Sequence, residues 1–246
     1  MNAYDTWFLV VLIFTAALLY SSVGHGGASG YLAAMAFVGL APGIMKPAAL
    51  SLNILVALIA VVRFYRAKCF SWSVFLPFAA ASIPFAFLGG TLSLPGELYR
   101  PVIGLVLLFA AFQLFLYTNR TARIDIRTVP VPAAVCWGGG IGLLSGLTGV
   151  GGGIFLSPLL LFMGWAGPRE SAGVSAAFIL VNSVAGILGY YSKMQLLPHT
   201  IIIWAVAAVA GGIIGSGLGS RHFSNMTLRR LLASVVAVAG LKFIFT

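Results

Sequence analysis

The chain has 246 residues, of which 61% are hydrophobic and only 7% are charged, and its mean hydropathy is +1.07. Because a soluble domain carries about 25% charged residues, this composition excludes a water-soluble protein and predicts an integral membrane protein. The formal net charge of +10 comes from basic residues in short stretches between apolar runs, a distribution that records membrane orientation rather than nucleic-acid binding. The runs are continuous, unlike the alternating strands of an outer-membrane barrel, so we expect an all-α fold.

Ten apolar segments, five in each half of the chain, follow one another in order. They span 7–20, 28–41, 47–65, 73–94, 99–118, 130–145, 153–165, 170–191, 198–220 and 226–245. The first two in each half are shorter than the roughly 20 residues that a helix needs to cross a bilayer. Each short pair is therefore interpreted either as two tightly fitted crossings or as a re-entrant hairpin. The polar stretch 119–129 is predicted to be a cytoplasmic linker between an N-terminal repeat, 1–118, and a C-terminal repeat, 130–246.

The basic residues orient these segments in the membrane. With the N-terminus outside, ten of the 14 basic residues fall on the inner side and four on the outer side. The inner group is Arg63, Arg66, Lys68, Arg120, Arg123, Arg127, Arg169, Arg221, Arg229 and Arg230, and the outer group is Lys46, Arg100, Lys193 and Lys242. This excess follows the positive-inside rule and predicts an external N-terminus. An odd number of crossings per half would make the two repeats inverted, as in many secondary transporters.

Two glycine-rich stretches interrupt the apolar sequence at equivalent places. They read SSVGHGGASG at 21–30 and LTGVGGG at 147–153. Three glycines recur 125 positions later, namely Gly24, Gly26 and Gly27 as Gly149, Gly151 and Gly152. Each stretch leads into an apolar segment, so a helix N-terminus with unpaired N–H groups would point into the membrane. Two such termini from inverted halves predict an anion site near the midplane. Alternatively, the glycines only allow helices to cross closely.

Polar side chains near these stretches are the further candidates. His25 stands beside the first glycines, and an ionisable residue within the membrane is by default a functional candidate; it either contacts substrate and exchanges a proton or makes a structural hydrogen bond. Asn53 and Asn182 lie in the third segment of their halves and either donate to a ligand or join helices. Ser22 and Thr148 are weaker candidates, because such hydroxyls often bond to their own helix.

The predicted substrate-binding set combines the loops and these side chains. Its members are Ser22, Gly24, His25, Gly26, Gly27, Asn53, Thr148, Gly149, Gly151, Gly152, Gly153 and Asn182, with His25 also assigned to proton coupling. Lys46 is left out, because it follows a Pro-Gly turn near the predicted outer surface, where we expect its side chain to snorkel.

Several chemistries are disfavoured by what the sequence lacks. The four acidic residues fall at segment ends or in the linker, as Asp5, Glu97, Asp125 and Glu170, so no carboxylate is available within the membrane for a cation site. The sequence contains neither HExxH nor GxxxxGK[ST], the patterns of metalloproteases and of P-loop ATP binding. We therefore predict a protein that is not an enzyme and that holds no metal and no cofactor.

The strongest resemblance to a known family lies in the second half. The stretch GLTGVGGGIFLSPLLLFMG at 146–164, together with the repeated loop, resembles the sulfite exporter TauE/SafE family, transporters of sulfur-containing anions. The first half, SSVGHGGASGYLAAMAFVG, differs, since Ala28 replaces the third glycine and nothing corresponds to Pro158. The resemblance covers nearly the whole chain.

That resemblance implies a multi-pass secondary transporter of the bacterial cell (inner) membrane. It would carry sulfite, a sulfonate or a related anion by alternating access at the glycine loops. The expected partners are a small anionic substrate and the lipid bilayer, without nucleic acid, and we allow for a homodimer. An uncoupled anion channel and, less favoured, a membrane-embedded enzyme are the alternatives.

Overall fold

A computed structural model describes residues 3–92, 95–116, 126–191 and 197–221, together with 233–234, 236–238, 240–241 and 244–245. Within these ranges the regular structure consists of helices, nine of which are continuous. They are α1 (Ala3–Ser21), α2 (Ala28–Phe37), α3 (Pro42–Arg66), α4 (Trp72–Thr91), α5 (Gly96–Leu116), α6 (Val131–Thr148), α7 (Gly153–Phe162), α8 (Pro168–Tyr190) and α9 (Ile201–Arg221). The expected all-α architecture is confirmed for this part of the chain.

Six of these helices, α1, α3, α4, α6, α8 and α9, are long and apolar enough to cross a membrane. The prediction of two short segments at the start of each half is correct for α2 and α7, which have 10 residues each. It is wrong for α1 and α6, which have 19 and 18 residues. The helix α1 begins earlier because an acid such as Asp5 is favourable in the first turn, and α6 continues through its glycines because membrane helices tolerate them.

The pair formed by α6 and α7 turns back on itself. At 1.5 Å per residue, a helix of the length of α7 covers about 15 Å, half of the hydrocarbon thickness. The backbone N–H of Arg127, before α6, donates to the carbonyl of Gly164, after α7, at 2.7 Å. The chain therefore enters and leaves this pair on the same side, as both interpretations require, and the short length of α7 is what favours the re-entrant one.

Glycines form the closest helix contacts, and these contacts join the two halves. Along α6, Gly138, Gly142 and Gly146 lie against the backbone of Phe78, Ser82 and Ala86 in α4. Residue numbers increase in the same direction along both helices, so α4 and α6 are parallel. Small residues at this spacing let membrane helices approach closely.

A matching contact links α9 of the second half with α1 of the first. Gly211 lies against the Phe14 carbonyl and Gly215 against the Leu18 carbonyl, so these helices are also parallel. The first half thus packs its fourth helix on the second half, and the second half packs its fourth helix on the first. The two halves are intertwined rather than side by side.

The helices α3 and α8 lie at the centre of this arrangement and run antiparallel. Lys46, near the start of α3, contacts Tyr190 at the end of α8, whereas Gly173, near the start of α8, packs on Cys69 just after α3. The helix α8 is the most buried of the six, with 72% of its spanning stretch buried. Residues on the facing sides of α3 and α8 are therefore shielded from lipid.

More than half of the predicted tenth segment, 226–245, and most of the linker 119–129 lie outside the described residues. The described parts of the tenth segment are helical, and Gly240 packs against Gly104 and Leu108 of α5. The boundaries at 118 and 130 and the opposite insertion of the two repeats stay predictions.

Candidate substrate site at two glycine loops

Each glycine stretch ends at the first residue of a short helix. Gly27 precedes α2 with φ of 99°, and Gly152 precedes α7 with φ of 79°, a conformation that glycine adopts at little cost. No side chain caps either helix, and the first N–H groups of a helix have no acceptor within it. Each loop therefore presents backbone donors at a helix N-terminus, where anions are favoured.

Both loops converge on the same two side chains between α3 and α8. The Cβ that alanine would add at Gly26 would collide with Oδ1 of Asn53 and lie 3.1 Å from Cγ2 of Ile179. At Gly151, the added Cβ would lie 2.7 Å from Nδ2 of Asn53 and 2.9 Å from Cγ2 of Ile179. The equivalent glycines of the two halves thus meet at one place in the centre of the molecule.

Buried side chains fix the backbone of each loop. Nδ2 of Asn53 donates to the carbonyl of Val150 at 3.3 Å, and the hydroxyl of Tyr31 donates to the carbonyl of Gly26 at 2.7 Å. One carbonyl in each loop is therefore held by a side chain from a neighbouring or following helix, which restrains the loop without using its N–H groups.

Several buried polar atoms on α3, α6 and α8 have no hydrogen-bond partner. They are Oδ1 of Asn53, Nδ2 and Oδ1 of Asn182, Oγ of Ser145 and Oγ of Ser183, and all four residues are 0% exposed. An unsatisfied buried polar group costs about 1–3 kcal/mol, so a concentration of them indicates a place for water or a ligand.

Ser145 and Ser183 are not among the site residues predicted from the sequence. An added Cβ at Gly151 would lie 3.2 Å from Oγ of Ser183, and one at Gly152 would lie 3.4 Å from Cβ of Ser145. Serine in a membrane helix usually bonds to its own backbone, so nothing in the residue type marks these two. The only available signal is position, since Ser183 follows Asn182 and Ser145 precedes the second glycine loop by one turn.

The hydroxyl groups of Ser22 and Thr148 donate to backbone carbonyls of α1 and α6. Oγ of Ser22 donates to Leu19 and Oγ1 of Thr148 donates to Leu144, each at 2.7 Å. Such hydroxyls offer only lone pairs to a ligand, which an anion does not favour. Their contact with substrate stays a prediction.

His25 lies beside α1 in the first loop. Its backbone N–H donates to the Tyr20 carbonyl at 2.9 Å, its ring centroid is 6.3 Å from that of Tyr20, and the side chain is half-buried. The neighbouring Gly24 lies against the backbone of Ala172 in α8. Proton coupling by His25 stays a prediction.

The remaining predicted glycines also pack against neighbouring side chains. Gly27 lies against Tyr31, Gly149 against Lys46, Gly152 against Phe178 and Gly153 against Ile179. The two glycine loops are thus enclosed by α2, α3 and α8.

The expectation that Lys46 snorkels at the surface is wrong. Lys46 is only 4% exposed, and its Nζ lies 4.6 Å from the ring centroid of Tyr190. An added Cβ at Gly149 would lie 3.2 Å from Cγ of Lys46. The reason is that α3 begins at Pro42 and is covered here by α8 and by the second loop, which the linear sequence does not reveal.

Comparison with known proteins adds the family. Residues 9–243 match the family described as sulfite exporter TauE/SafE, which confirms the resemblance seen in the sequence. The probable membrane transporter protein y4hK of Sinorhizobium fredii is 40% identical over 240 residues, covering 96% of this chain and 97% of its own length.

More distant relatives also align over nearly their whole length. The probable membrane transporter proteins YjnA of Bacillus subtilis and MJ0441 of Methanocaldococcus jannaschii are 28% and 24% identical, covering 94% and 95% of this chain and 96% and 93% of their own lengths. No solved structure matches the chain. With these matches and six helices able to cross a membrane, the chain is a multi-pass membrane transporter of the TauE/SafE family.

Proposed function

We propose that this transporter carries a small sulfur-containing anion, with sulfite as the first candidate, through a site formed by its two glycine loops. The observation that carries the proposal is the meeting of Gly26 and Gly151 at Asn53 and Ile179. The buried and unpaired amide of Asn182 lies on α8, three residues after Ile179. The printed description of the matching family, a sulfite exporter, supplies the substrate class.

The donors at the site suit an oxyanion. Helix N-termini bring backbone N–H groups and a partial positive charge, and the amide nitrogen of Asn182 and the hydroxyls of Ser145 and Ser183 add donors without acceptors of their own. Hydrogensulfite both accepts and donates hydrogen bonds, so it can also satisfy an unpaired amide oxygen. Binding would then remove the cost of the unsatisfied groups.

Alternating access is supported by the relation between the halves. The equivalent helices α3 and α8 run antiparallel, and each contributes to the enclosure of both loops. A site between two inverted repeats can open to either side of the membrane by movement of one repeat against the other. In this proposal Asn53 contacts the anion between the two loops. His25 exchanges the coupled proton near neutral pH.

Transport by the purified protein in proteoliposomes tests the function. We expect radiolabelled sulfite uptake that saturates and that is accelerated by unlabelled sulfite inside the vesicle, as exchange through a carrier requires. A pH gradient should change the uptake rate, and His25→Gln should abolish that dependence.

Protein-free liposomes are the control, and the vesicle contents are analysed for chemical products. Flux that neither saturates nor shows exchange would support the channel, and product formation would support an enzyme. No flux of sulfite or of organosulfonates would contradict the proposal. Equal rates with and without the gradient would reject proton coupling alone.

A further inference from the structure

We infer that the ammonium group of Lys46 is the charge that recognises the anion on the transport path, and that it favours doubly charged anions. The inference rests on the proposed function, because it requires that the glycine loops bind an anion. It adds a specificity-determining residue that lies outside the set predicted from the sequence.

Lys46 is held at the second glycine loop rather than at the surface. Its side chain is 4% exposed, its Cγ would lie 3.2 Å from a Cβ at Gly149, and its Nζ lies 4.6 Å from the ring centroid of Tyr190. The stem of Lys46 therefore packs on a loop of the second half and its ammonium group lies at the end of α8, although the residue belongs to the first half.

Lys46 shares a helix face with the loop-contacting Asn53, although in the structure its side chain extends to Tyr190 at the end of α8. Lys46 and Asn53 are seven residues apart, which places them on one face of the helix about 10 Å apart along its axis. Ser183 and Tyr190 have the same separation on the antiparallel helix α8. The contact between Lys46 and Tyr190 is therefore about two turns from Asn53 and Ser183, and the long, flexible stem of lysine can cover part of that distance.

A buried ammonium suits an anion path. Charged residues within membrane segments are costly, and they mark ion or substrate pathways. A passing anion would be attracted by the ammonium and a cation repelled, and the attraction grows with the charge of the anion. Further along the same region, the unpaired hydroxyl of Ser145 lies beside Gly152 of the second loop.

The two loops differ in this respect. The helices α3 and α8 begin at the equivalent residues Pro42 and Pro168, so that Lys46 corresponds to Ala172. Gly149 packs on Lys46 as Gly24 packs on Ala172. The second loop therefore has a lysine beside it, whereas the first has an alanine at the equivalent place.

Inhibition of sulfite uptake by two organosulfonates tests the inference. Sulfoacetate is a dianion and isethionate a monoanion of similar size. We expect Lys46→Met, which keeps an apolar stem and removes the charge, to weaken inhibition by sulfoacetate about ten-fold or more, and inhibition by isethionate much less. Lys46→Arg should retain the preference for the dianion.

Lys68→Met is the matched control, because Lys68 is exposed beyond the other end of α3. This control should leave both inhibition constants unchanged. If Lys46→Met does not fold, Lys46→Gln replaces it as the variant without the charge. Unchanged inhibition by sulfoacetate in the folded Lys46 variant would overturn the inference, as would a lower maximal rate with unchanged affinities, which indicates a structural role. A wild-type protein that moves no sulfur anion would instead reject the proposed function.

Discussion

The two buried asparagines, Asn53 and Asn182, differ in what they bind. Asn53 donates to Val150 and so holds the second loop, whereas both polar atoms of Asn182 lack a partner although the side chain is 0% exposed. An unpaired amide in a membrane protein interior lowers stability. Its presence is explained if substrate binding, rather than folding, requires it.

Replacement of Asn182 by leucine should therefore separate stability from transport. Leucine has a similar volume and no polar atoms, so Asn182→Leu should stabilise the folded protein by about 1 kcal/mol because it removes an unsatisfied group. Sulfite transport should fall about ten-fold or more because the site loses a donor. Thermal unfolding in detergent and uptake by proteoliposomes measure the two effects.

Ser82→Ala is the matched control for this substitution. Ser82 is equally buried, but its Oγ donates to the Ala79 carbonyl of its own helix, so transport should be unchanged. A variant at Asn182 that is less stable and fully active would show that the amide serves packing and would remove Asn182 from the site.

At the scale of elements, α6 has two glycine faces with different roles. Gly142 lies against the backbone of Ser82 in α4, whereas Gly140 has no neighbouring atom within 4 Å of an added Cβ and is exposed. The contact between α4 and α6 joins the two halves, so it should depend on the absence of a side chain at Gly142.

A leucine scan of these two positions tests the helix contact. Gly142→Leu should lower the free energy of unfolding by about 2 kcal/mol or more, because the side chain has no space between α4 and α6. Gly140→Leu should have little effect, because leucine there faces lipid. The melting temperatures in detergent and the yields of monodisperse protein provide the measurement.

Equal tolerance of leucine at both positions would mean that α4 and α6 do not pack through Gly142. The glycine pattern alone predicts close contact but not its partner. Only the structure therefore pairs α6 with α4 and α9 with α1.

For the whole molecule, the central question is the direction in which the intertwined halves insert. The positive-inside rule places the N-terminus outside, which puts the connection before α3 outside and the connection before α4 inside. The antiparallel contact between α3 and α8, with Lys46 near Tyr190, is what opposite insertion of the two halves would produce.

Cysteine labelling in a background of Cys69→Ala and Cys136→Ala tests this orientation. Ala41 lies in the connection before α3, and Ser73 lies in the first turn of α4. Both residues are exposed. We expect a membrane-impermeant maleimide to label Ala41→Cys in intact spheroplasts and Ser73→Cys only after permeabilisation. The reverse pattern would invert the predicted orientation while leaving the helix packing unchanged.

The sequence by itself determined the class of protein, the repeated glycine loops and the family. Composition decides membrane insertion because lipid excludes polar surfaces, and a repeat at a fixed offset of 125 residues is visible without coordinates. The shortness of α2 and α7 also follows from local sequence, because a glycine that adopts positive φ lies both before and after each of them.

Only the tertiary structure decided which distant residues meet. The burial of Lys46, the unpaired atoms of Ser145 and Ser183, and the approach of Gly26 and Gly151 to Asn53 all depend on which faces of separate helices come together. Hydrophobic composition does not specify those pairings, because every helix in a membrane is apolar and the choice of partner is made by close packing of small residues.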